Sequence, residues 1–213
     1  MSLDLTAICI RNTAGKALFA PLTLRVPPGE VVTVMGPSGV GKSTLLDGIG
    51  GHLSHGFHLT GTVMLNDQDV THTPAEARRI GVVFQDALLF PHLSVGDNLA
   101  FGLPQHLKGR DPRRAAVDAA LDQAGLDGLY SRDPATLSGG QRARAALMRS
   151  LLAEPLALLL DEPFAKLDAA LRDDIRQFTF AHVHQRAIPT LMVTHDPADA
   201  DAASGEVIQL TTL

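Results

Sequence analysis

The chain alternates between short apolar runs, which predict strands, and longer segments with apolar residues three and four positions apart, which predict helices. The predicted strands cover residues 3–10, 22–26, 31–35, 61–65, 80–84, 156–160, 189–194 and, weakly, 206–210. The predicted helices begin near residue 42 and cover residues 111–124, 140–152 and 168–186. Strands that alternate with helices predict an α/β fold whose mostly parallel sheet is covered on both faces.

Helical patterns are concentrated in the middle of the chain, and strand patterns return after Pro155. We therefore predict one domain over residues 1–213. Its core comprises residues 1–86 and 155–213, and residues 87–154 form an inserted helical subdomain. The first strands predict an antiparallel β portion at the N-terminal end of this core.

Composition and charge exclude several classes of protein. A chain of 213 residues with 45% hydrophobic residues can bury a core, and Cys9, as the single cysteine, cannot form an intrachain disulfide. The 18 Lys and Arg against 23 Asp and Glu give a net charge of −5, the opposite of the usual balance in nucleic-acid-binding proteins. The longest apolar runs span about five residues. We therefore expect neither a signal peptide nor a membrane span, and any membrane role would come through a partner.

A glycine-rich segment follows the predicted strand at 31–35 and reads Gly36-Pro37-Ser38-Gly39-Val40-Gly41-Lys42-Ser43-Thr44. It fits the phosphate-binding pattern G-x-x-x-x-G-K-[ST], and the strand before it and the helix after it supply the required context. The glycines allow backbone N–H groups to converge on phosphate oxygens, and the helix adds the positive end of its dipole. The pattern predicts a P-loop NTPase in which Lys42 reaches the phosphates and Ser43 holds Mg²⁺.

Two acids, Asp161 and Glu162, end the apolar run at 156–160. Open α/β sheets bind ligands at the carboxyl ends of their strands, so both side chains are predicted beside the phosphate segment. Asp161 is suited to contacting Mg²⁺, and Glu162 is suited to polarising the water that attacks the γ-phosphate.

The five residues Leu137-Ser138-Gly139-Gly140-Gln141 resemble the signature motif of ATP-binding cassette (ABC) proteins, and the resemblance extends over residues 5–210. It implies that ATP and Mg²⁺ are the cofactors and that the chain hydrolyses ATP. It also implies a head-to-tail homodimer that closes with ATP, in which Ser138, Gly139, Gly140 and Gln141 contact the nucleotide of the other copy. A helix N-terminus at this motif supplies a second anion site.

The same resemblance assigns two further residues. Gln85 matches the Q-loop glutamine, which contacts Mg²⁺ and the attacking water. His195 matches the switch histidine, which contacts the γ-phosphate.

The chain departs from the family pattern at two places. In Ala165–Asp168, the D-loop position, Lys166 replaces a small residue that meets the other subunit. Residues 13–15 lack the aromatic ring that commonly stacks on adenine; either the nearby Phe19 substitutes for it, or base stacking is weak.

Residues 85–99 are similar to the corresponding stretch of ATP-binding subunits of bacterial binding-protein-dependent importers. The resemblance implies a peripheral subunit on the cytoplasmic face of the inner membrane, bound to transmembrane permease subunits and, through them, to a solute-binding protein. Leu88, Leu89 and Phe90 either receive a coupling helix of the permease or pack on the chain's own helical subdomain. The short form implies no C-terminal regulatory domain, and cargo is chosen by the permease and the binding protein.

A competing hypothesis is a non-transport ABC ATPase that acts as a regulator or assembly factor. Such proteins usually carry two cassettes or a coiled-coil insertion, and neither pattern occurs here. The closely spaced His52, His55 and His58 favour a solvated loop over a metal site.

Overall fold

The computed structural model describes residues 1–211. Its strands are β1 (Leu3–Asn12), β2 (Leu22–Val26), β3 (Val31–Met35), β4 (Phe57–Leu65), β5 (Gln68–Asp69), β6 (Ile80–Val83), β7 (Ala157–Asp161), β8 (Thr190–Thr194) and β9 (Val207–Gln209). Its helices are α1 (Lys42–Gly50), α2 (Val95–Gly102), α3 (Arg110–Gln123), α4 (Gly139–Leu152), α5 (Ala169–Gln185) and α6 (Pro197–Ala203). Short 3₁₀ turns occupy Ala75–Ala77 and Pro134–Thr136.

The larger sheet has five strands in the order β6-β7-β8-β3-β9, and every pairing in it is parallel. This confirms the predicted parallel core. Alternate residues of β7 face opposite sides of the sheet, so that Leu158 and Leu160 join one buried cluster and Leu159 joins the other. A strand covered on both faces explains the unbroken apolar run in the sequence. β6 is different, because it lies at the sheet edge and is only half-buried rather than buried as predicted.

The smaller sheet is antiparallel and has the order β2-β1-β4-β5, which confirms the predicted N-terminal antiparallel portion. β4 begins at Phe57, four residues before the predicted start at Gly61. Gly61, at φ +94°, lies inside the strand where the pairing with β1 shifts register. A Cβ at Gly61 would lie 2.5 Å from the carbonyl oxygen of Thr6, so this bulge requires glycine.

Helices α2, α3 and α4 follow β6 and precede β7 in the sequence, and they share a buried apolar cluster. The close packing of α2 on α4 depends on Gly102, since a Cβ there would lie 2.2 Å from the carbonyl oxygen of Arg149. The sequence pattern predicts neither α2 nor α6, because both helices are short. Both begin at a capping side chain, Ser94 for α2 and Asp196 for α6, and these caps are the local signal that could have revealed them.

Among residues 1–211, no helix combines the length and the apolar character that crossing a lipid bilayer requires.

Candidate functional site

Four neighbouring strands of the parallel sheet deliver the predicted site residues to its carboxyl edge. Residues 36–44 follow β3, and His195 follows β8. Asp161 ends β7 with Glu162 directly after it, and Gln85 lies two residues beyond β6. Because the strand order is β6-β7-β8-β3, these segments lie side by side. The sheet therefore assembles residues that are far apart in the sequence.

The glycines of the segment after β3 adopt conformations that other residues rarely take. Gly39 and Gly41 have φ values of +82° and +103°. A Cβ at Gly41 would lie 3.2 Å from Leu18 Cδ1 and 3.4 Å from Phe19 Cδ1. Gly41 is also the N-cap of α1 and supplies no side-chain cap. The first N–H groups of α1 are therefore without a capping side chain, which is the arrangement of an anion site.

Lys42 is folded back over this segment and is 7% exposed. Its ammonium group donates to the carbonyl oxygens of Gly36 at 2.8 Å and Pro37 at 3.2 Å. An ammonium group has three donors, so one donor is not used by these two contacts. The geometry keeps a positive charge inside the loop that is predicted to hold phosphate.

The far end of α1 is fixed by Arg78, which the sequence analysis did not single out. Its guanidinium donates to the carbonyl oxygens of Gly48 and Ile49 at 3.1 and 2.6 Å and to that of Thr71 at 2.8 Å. Burial lowers the pKa of Arg78 from its ordinary value. A cation at the carbonyl end of a helix is favourable, and here it holds α1 in place.

Ser43 and Asp161 form the contact that could hold a cation. The Ser43 hydroxyl donates to Asp161 Oδ1 at 3.0 Å. Burial raises the pKa of Asp161, with the neighbouring Glu162 adding to the rise and the Ser43 hydrogen bond opposing it. A hydroxyl oxygen and a carboxylate are the hard oxygen ligands that Mg²⁺ prefers, so this pair fits the ion.

Glu162 and His195 contact each other at the same sheet edge. Glu162 Oε2 lies 3.1 Å from His195 Nδ1. Glu162 has φ +44°, which is unusual for a residue other than glycine, and its N–H donates to Val193 O at 2.9 Å. Strained backbone at such a place is common in functional sites. The His195 side chain is 61% exposed and therefore accessible to a ligand.

Ser138 and Gln141 form a reciprocal capping box at the start of α4. Ser138 Oγ accepts from the Gln141 N–H at 3.2 Å, and Gln141 Oε1 accepts from the Ser138 N–H at 3.0 Å. Gly140 has a packing role as well, since a Cβ there would lie 2.6 Å from Leu171 Cδ1 of α5. The hydroxyl proton of Ser138 is not used by the cap and is available to an anion.

The predicted D-loop lies beside this helix start. Asp168 caps α5 by accepting from the Leu171 N–H at 3.0 Å. Lys166 forms an ion pair with Asp86, the residue after Gln85, and both side chains are more than half exposed. The pairing of Lys166 with Asp86 lies within one chain and is not predictable from the sequence pattern.

The structure brings some of the predicted residues together and leaves others apart. Gln85, Gly139 and Lys166 line one pocket of about 150 Å³ between the parallel sheet and α4. Residues 36–44 lie outside this pocket. Within a single chain, the signature segment is thus a neighbour of the Q-loop and the D-loop rather than of the phosphate segment.

Phe19 does not substitute for an adenine-stacking ring. Its side chain is fully buried in the apolar cluster beneath Gly41, where it contacts no solvent. The loop at residues 13–15 is exposed, with the N–H of Ala14 donating to Asn12 Oδ1 at 3.0 Å. This excludes the first of the two alternatives for base stacking.

The stretch after Gln85 combines buried and exposed apolar residues. Leu89 packs against the buried cluster of the helices, whereas Leu88 is 56% exposed. Phe90 stacks edge-to-face on Phe101, with ring centroids 4.8 Å apart, and Phe101 is 69% exposed. Leu89 therefore packs on the chain's own helical subdomain, whereas Leu88 and Phe101 are exposed, and the sequence pattern did not indicate Phe101 as a surface residue.

Two polar side chains hold this stretch in place. Asn98 Oδ1 accepts from the Phe90 N–H at 2.7 Å, and Asn98 Nδ2 donates to Phe90 O at 3.1 Å. Arg149 donates to Leu88 O at 2.6 Å, and burial lowers its pKa. The exposed apolar side chains are therefore presented by a backbone that is fixed from below.

Comparison with known proteins agrees with this geometry. The ABC transporter family matches residues 19–165. The chain is 51% identical over 201 residues to the ABC transporter ATP-binding protein YnjD of Escherichia coli K12, which covers 92% of each protein. It is 46% identical over 175 residues to the sulfate/thiosulfate import ATP-binding protein CysA of Mycobacterium tuberculosis, covering 82% of this chain and 49% of CysA.

It is also 40% identical over 198 residues to the spermidine/putrescine import ATP-binding protein PotA of Marinobacter nauticus, covering 92% of this chain and 52% of PotA. The chain thus spans about half the length of these CysA and PotA proteins and most of the length of YnjD. The chain is an ATP-binding protein of the ABC transporter family, and this membership implies that it hydrolyses ATP.

Proposed function

We propose that this chain is the ATP-hydrolysing subunit of a bacterial ABC importer and that two copies close head to tail around ATP. The observation that carries the proposal is the alignment of four candidate segments at the carboxyl edge of neighbouring parallel strands. Triphosphate hydrolysis needs a phosphate cradle, oxygen ligands for a cation, a base and a group that contacts the γ-phosphate. The sheet edge carries one candidate for each requirement.

The phosphate segment binds and orients the nucleotide. Lys42 and the backbone N–H groups of residues 36–44 contact the β- and γ-phosphates, with the open N-terminus of α1 adding favourable charge. Ser43, Gln85 and Asp161 would hold Mg²⁺, which neutralises phosphate charge when it is bound.

Glu162 acts as the base that accepts a proton from the attacking water. Its carboxylate directly follows Asp161, the predicted cation ligand at the end of β7. His195 orients Glu162 through their 3.1 Å contact and reaches the γ-phosphate from its exposed position. The strained backbone at Glu162 fixes the direction of its side chain.

A second copy completes the site. The chain contains one phosphate segment and one signature segment, and none of residues 36–44 lines the pocket that Gly139 lines. Ser138, Gly139, Gly140 and Gln141 therefore act on the nucleotide of the other copy. ATP favours the closed dimer because it contacts both surfaces, and hydrolysis removes that preference.

An apolar surface formed by Leu88, Phe90 and Phe101 receives the permease. Leu88 and Phe101 are 56% and 69% exposed, and exposed apolar groups rimmed by polar residues mark protein interaction sites. Through this contact the chain is held peripherally at the cytoplasmic face of the inner membrane, and a solute-binding protein delivers cargo to the permease.

Import is favoured by the relatives, and their names also argue that cargo is chosen elsewhere. One relative is named for an anion, sulfate or thiosulfate, and another is named for cationic polyamines. The same type of ATP-binding chain thus serves cargoes of opposite charge. We therefore assign cargo selection to the membrane and binding-protein partners.

The test of hydrolysis uses the purified chain and its Glu162→Gln variant. Wild type is expected to release phosphate from ATP, and the variant is expected to lose about 100-fold or more of that rate while still binding ATP. A variant that hydrolyses ATP at the wild-type rate would overturn the assignment of the base.

The test of transport uses Glu162→Gln as the bait, with ATP, in detergent-solubilised membranes. We expect a polytopic permease to be recovered and identified by mass spectrometry. A further Leu88→Asp change is expected to lose the permease, whereas Val207→Asp is the matched control because Val207 is also an exposed apolar residue, 44% exposed on β9. Recovery of soluble proteins alone would favour the regulator or assembly factor.

A further inference from the structure

A polar network on α5 connects the predicted D-loop to the turn that carries His195. Arg172 Nη2 donates to the carbonyl oxygen of Leu167 in the D-loop at 3.0 Å, and Arg172 Nη1 donates to Asp196 Oδ2 at 3.0 Å. Asp196 is the residue directly after His195. One guanidinium group therefore touches both segments at once.

The network has a buried end at Arg176 and Asp199, whereas the side chains of Arg172 and Asp196 are each 28% exposed. Arg176, one helical turn after Arg172, donates through Nε to Asp199 Oδ1 at 2.7 Å and through Nη2 to Asp196 Oδ2 at 3.3 Å. Arg176 is 7% exposed and Asp199 is 2% exposed. Buried charged groups with several hydrogen bonds have few alternative geometries, because each broken contact leaves a desolvated group without a partner.

The turn at His195 is fixed on both sides by this network. Thr194 Oγ1 donates to Asp199 Oδ2 at 2.7 Å and accepts from the Asp196 N–H at 3.1 Å. Asp196 Oδ1 accepts from the Ala198 N–H at 2.9 Å and caps α6. The residues before and after His195 are thus held, while the His195 side chain is left exposed.

The position of Arg172 differs from that of Arg176 in one respect. Arg176 joins α5 to Asp196 and to α6, whereas Arg172 also holds the Leu167 carbonyl. The Nε of Arg172 is buried without a hydrogen-bond partner among the described residues. The two contacts of its other nitrogens are therefore the ones that determine where this guanidinium group lies.

We propose that Arg172 is a positioning residue that transmits the placement of the D-loop to His195. On the proposed function, the D-loop meets the second copy, so dimer closure would fix Leu167, and Arg172 would then fix Asp196 and the adjacent histidine. The inference rests on that proposed function for the role of His195. Arg172 itself touches neither the nucleotide nor the reacting atoms.

The experiment compares wild type, Arg172→Gln and Arg172→Lys in steady-state ATP hydrolysis by the purified full chain. We expect Arg172→Gln to lower kcat about tenfold with the KM for ATP changed by less than about twofold, because nucleotide binding to the phosphate segment does not involve Arg172. Lysine keeps the charge but not the fork of two donors, so we expect only partial recovery of kcat. Wild type without ATPase activity would refute the proposed function, not this inference.

The matched control is Arg114→Gln. Arg114 is also a helical arginine paired with an aspartate, Asp118, at 2.8 Å, but it lies on the exposed face of α3. Its kcat is expected to equal that of wild type. If Arg172→Gln also keeps the wild-type kcat, or if it loses kcat only together with a matching rise in KM and a lower Tm, Arg172 has a merely structural role and the proposal is overturned.

A second measurement tests the route through Asp196. Asp196→Asn keeps a capping oxygen for α6 but loses the charge that Arg172 contacts. If Arg172 acts through Asp196, the double variant loses no more kcat than the single variant with the larger loss. If the two losses multiply, the residues act independently and the proposed route is wrong.

Discussion

The N-termini of α1 and α4 both lie in segments of serine and glycine, yet the two helices are capped differently. α1 begins after Gly41, which has a left-handed conformation and no capping side chain. α4 begins after Ser138, whose side chain and that of Gln141 satisfy each other's backbone N–H groups. In the single chain, the start of α1 has no capping side chain, whereas the start of α4 is capped by its own Ser138 and Gln141 side chains.

On the proposed function, a nucleotide site has two halves, the phosphate segment of one copy and the signature segment of the other, and this difference distinguishes them. The start of α1 has a cation beside it, because the Lys42 ammonium group donates to the carbonyl oxygens of Gly36 and Pro37. The capping box of α4 leaves the Ser138 hydroxyl proton unused, and on the proposed function this helix start completes the site of the other copy. The comparison yields four predictions, given from the largest expected effect to the smallest.

Replacing Lys42 with Ala is expected to weaken ATP binding about 100-fold, because charge-assisted hydrogen bonds to phosphate are lost from the open helix start. Equilibrium binding of ATP to the purified chain is the measurement. Lys108→Ala, which removes an exposed lysine, is the control and is expected to bind like wild type. Equal affinity for both variants would break the comparison, since α1 would then not be the binding half.

Replacing Ser138 with Ala is expected to remove the cap of α4, to destabilise the chain by about 1 kcal/mol and to lower ATP hydrolysis about tenfold. Ser94→Ala is the matched control, because Ser94 caps α2 in the same way by accepting from the Asp97 N–H at 3.1 Å. Both variants should lose similar stability in thermal unfolding, but only Ser138→Ala should lose hydrolysis. Equal hydrolysis rates would mean that Ser138 is a helix cap and nothing more.

Replacing Asp161 with Asn is expected to raise Tm at neutral pH in the presence of a chelator. Burial raises the pKa of Asp161 above its value in the unfolded chain, so at intermediate pH the folded chain binds more protons than the unfolded chain. The folded chain therefore loses stability as pH rises from the unfolded pKa through the folded pKa. The asparagine variant lacks this loss, and the difference in Tm from wild type should vanish at acidic pH. Added Mg²⁺ should raise the Tm of wild type only; an equal rise in the variant would exclude Asp161 as a ligand.

Replacing Lys166 with Ala is expected to have the smallest effect. Lys166 and Asp86 are more than half exposed, and such pairs contribute about 0–1 kcal/mol. Tm should therefore fall by no more than about 4 °C, and the difference from wild type should shrink at high salt. A larger fall that persists at high salt would mean that the pair is a structural link between the D-loop and the Q-loop.

Local patterns were sufficient to predict most strands and the motifs. The period of apolar residues distinguishes strand from helix, and the glycines before Lys42 indicate a turn between a strand and a helix that fits the phosphate-binding pattern. The boundary errors have local causes too: Gly61 is a bulge inside β4 rather than its beginning, and α2 and α6 are too short to show a full helical period.

Contacts between distant residues could not be predicted in this way. Lys166 meets Asp86 across 80 positions, and Arg149 meets the carbonyl oxygen of Leu88 across 61. Leu88 and Leu89 are identical, adjacent residues, yet one is exposed and the other packs on the helices. Nothing in their immediate sequence separates them, because the direction of each side chain depends on which helices lie beneath the loop.

The sequence by itself therefore determined the fold class, the phosphate segment with Lys42 and Ser43, the acids at the end of β7 and the signature segment. The physical reason is that backbone propensity and turn chemistry act over a few neighbouring residues. Only the tertiary structure decided that Phe19 is core, that Ser138 closes its own helix and that Arg172 joins the D-loop to the turn at His195. These outcomes depend on strand order and packing, which bring together groups that the sequence keeps far apart.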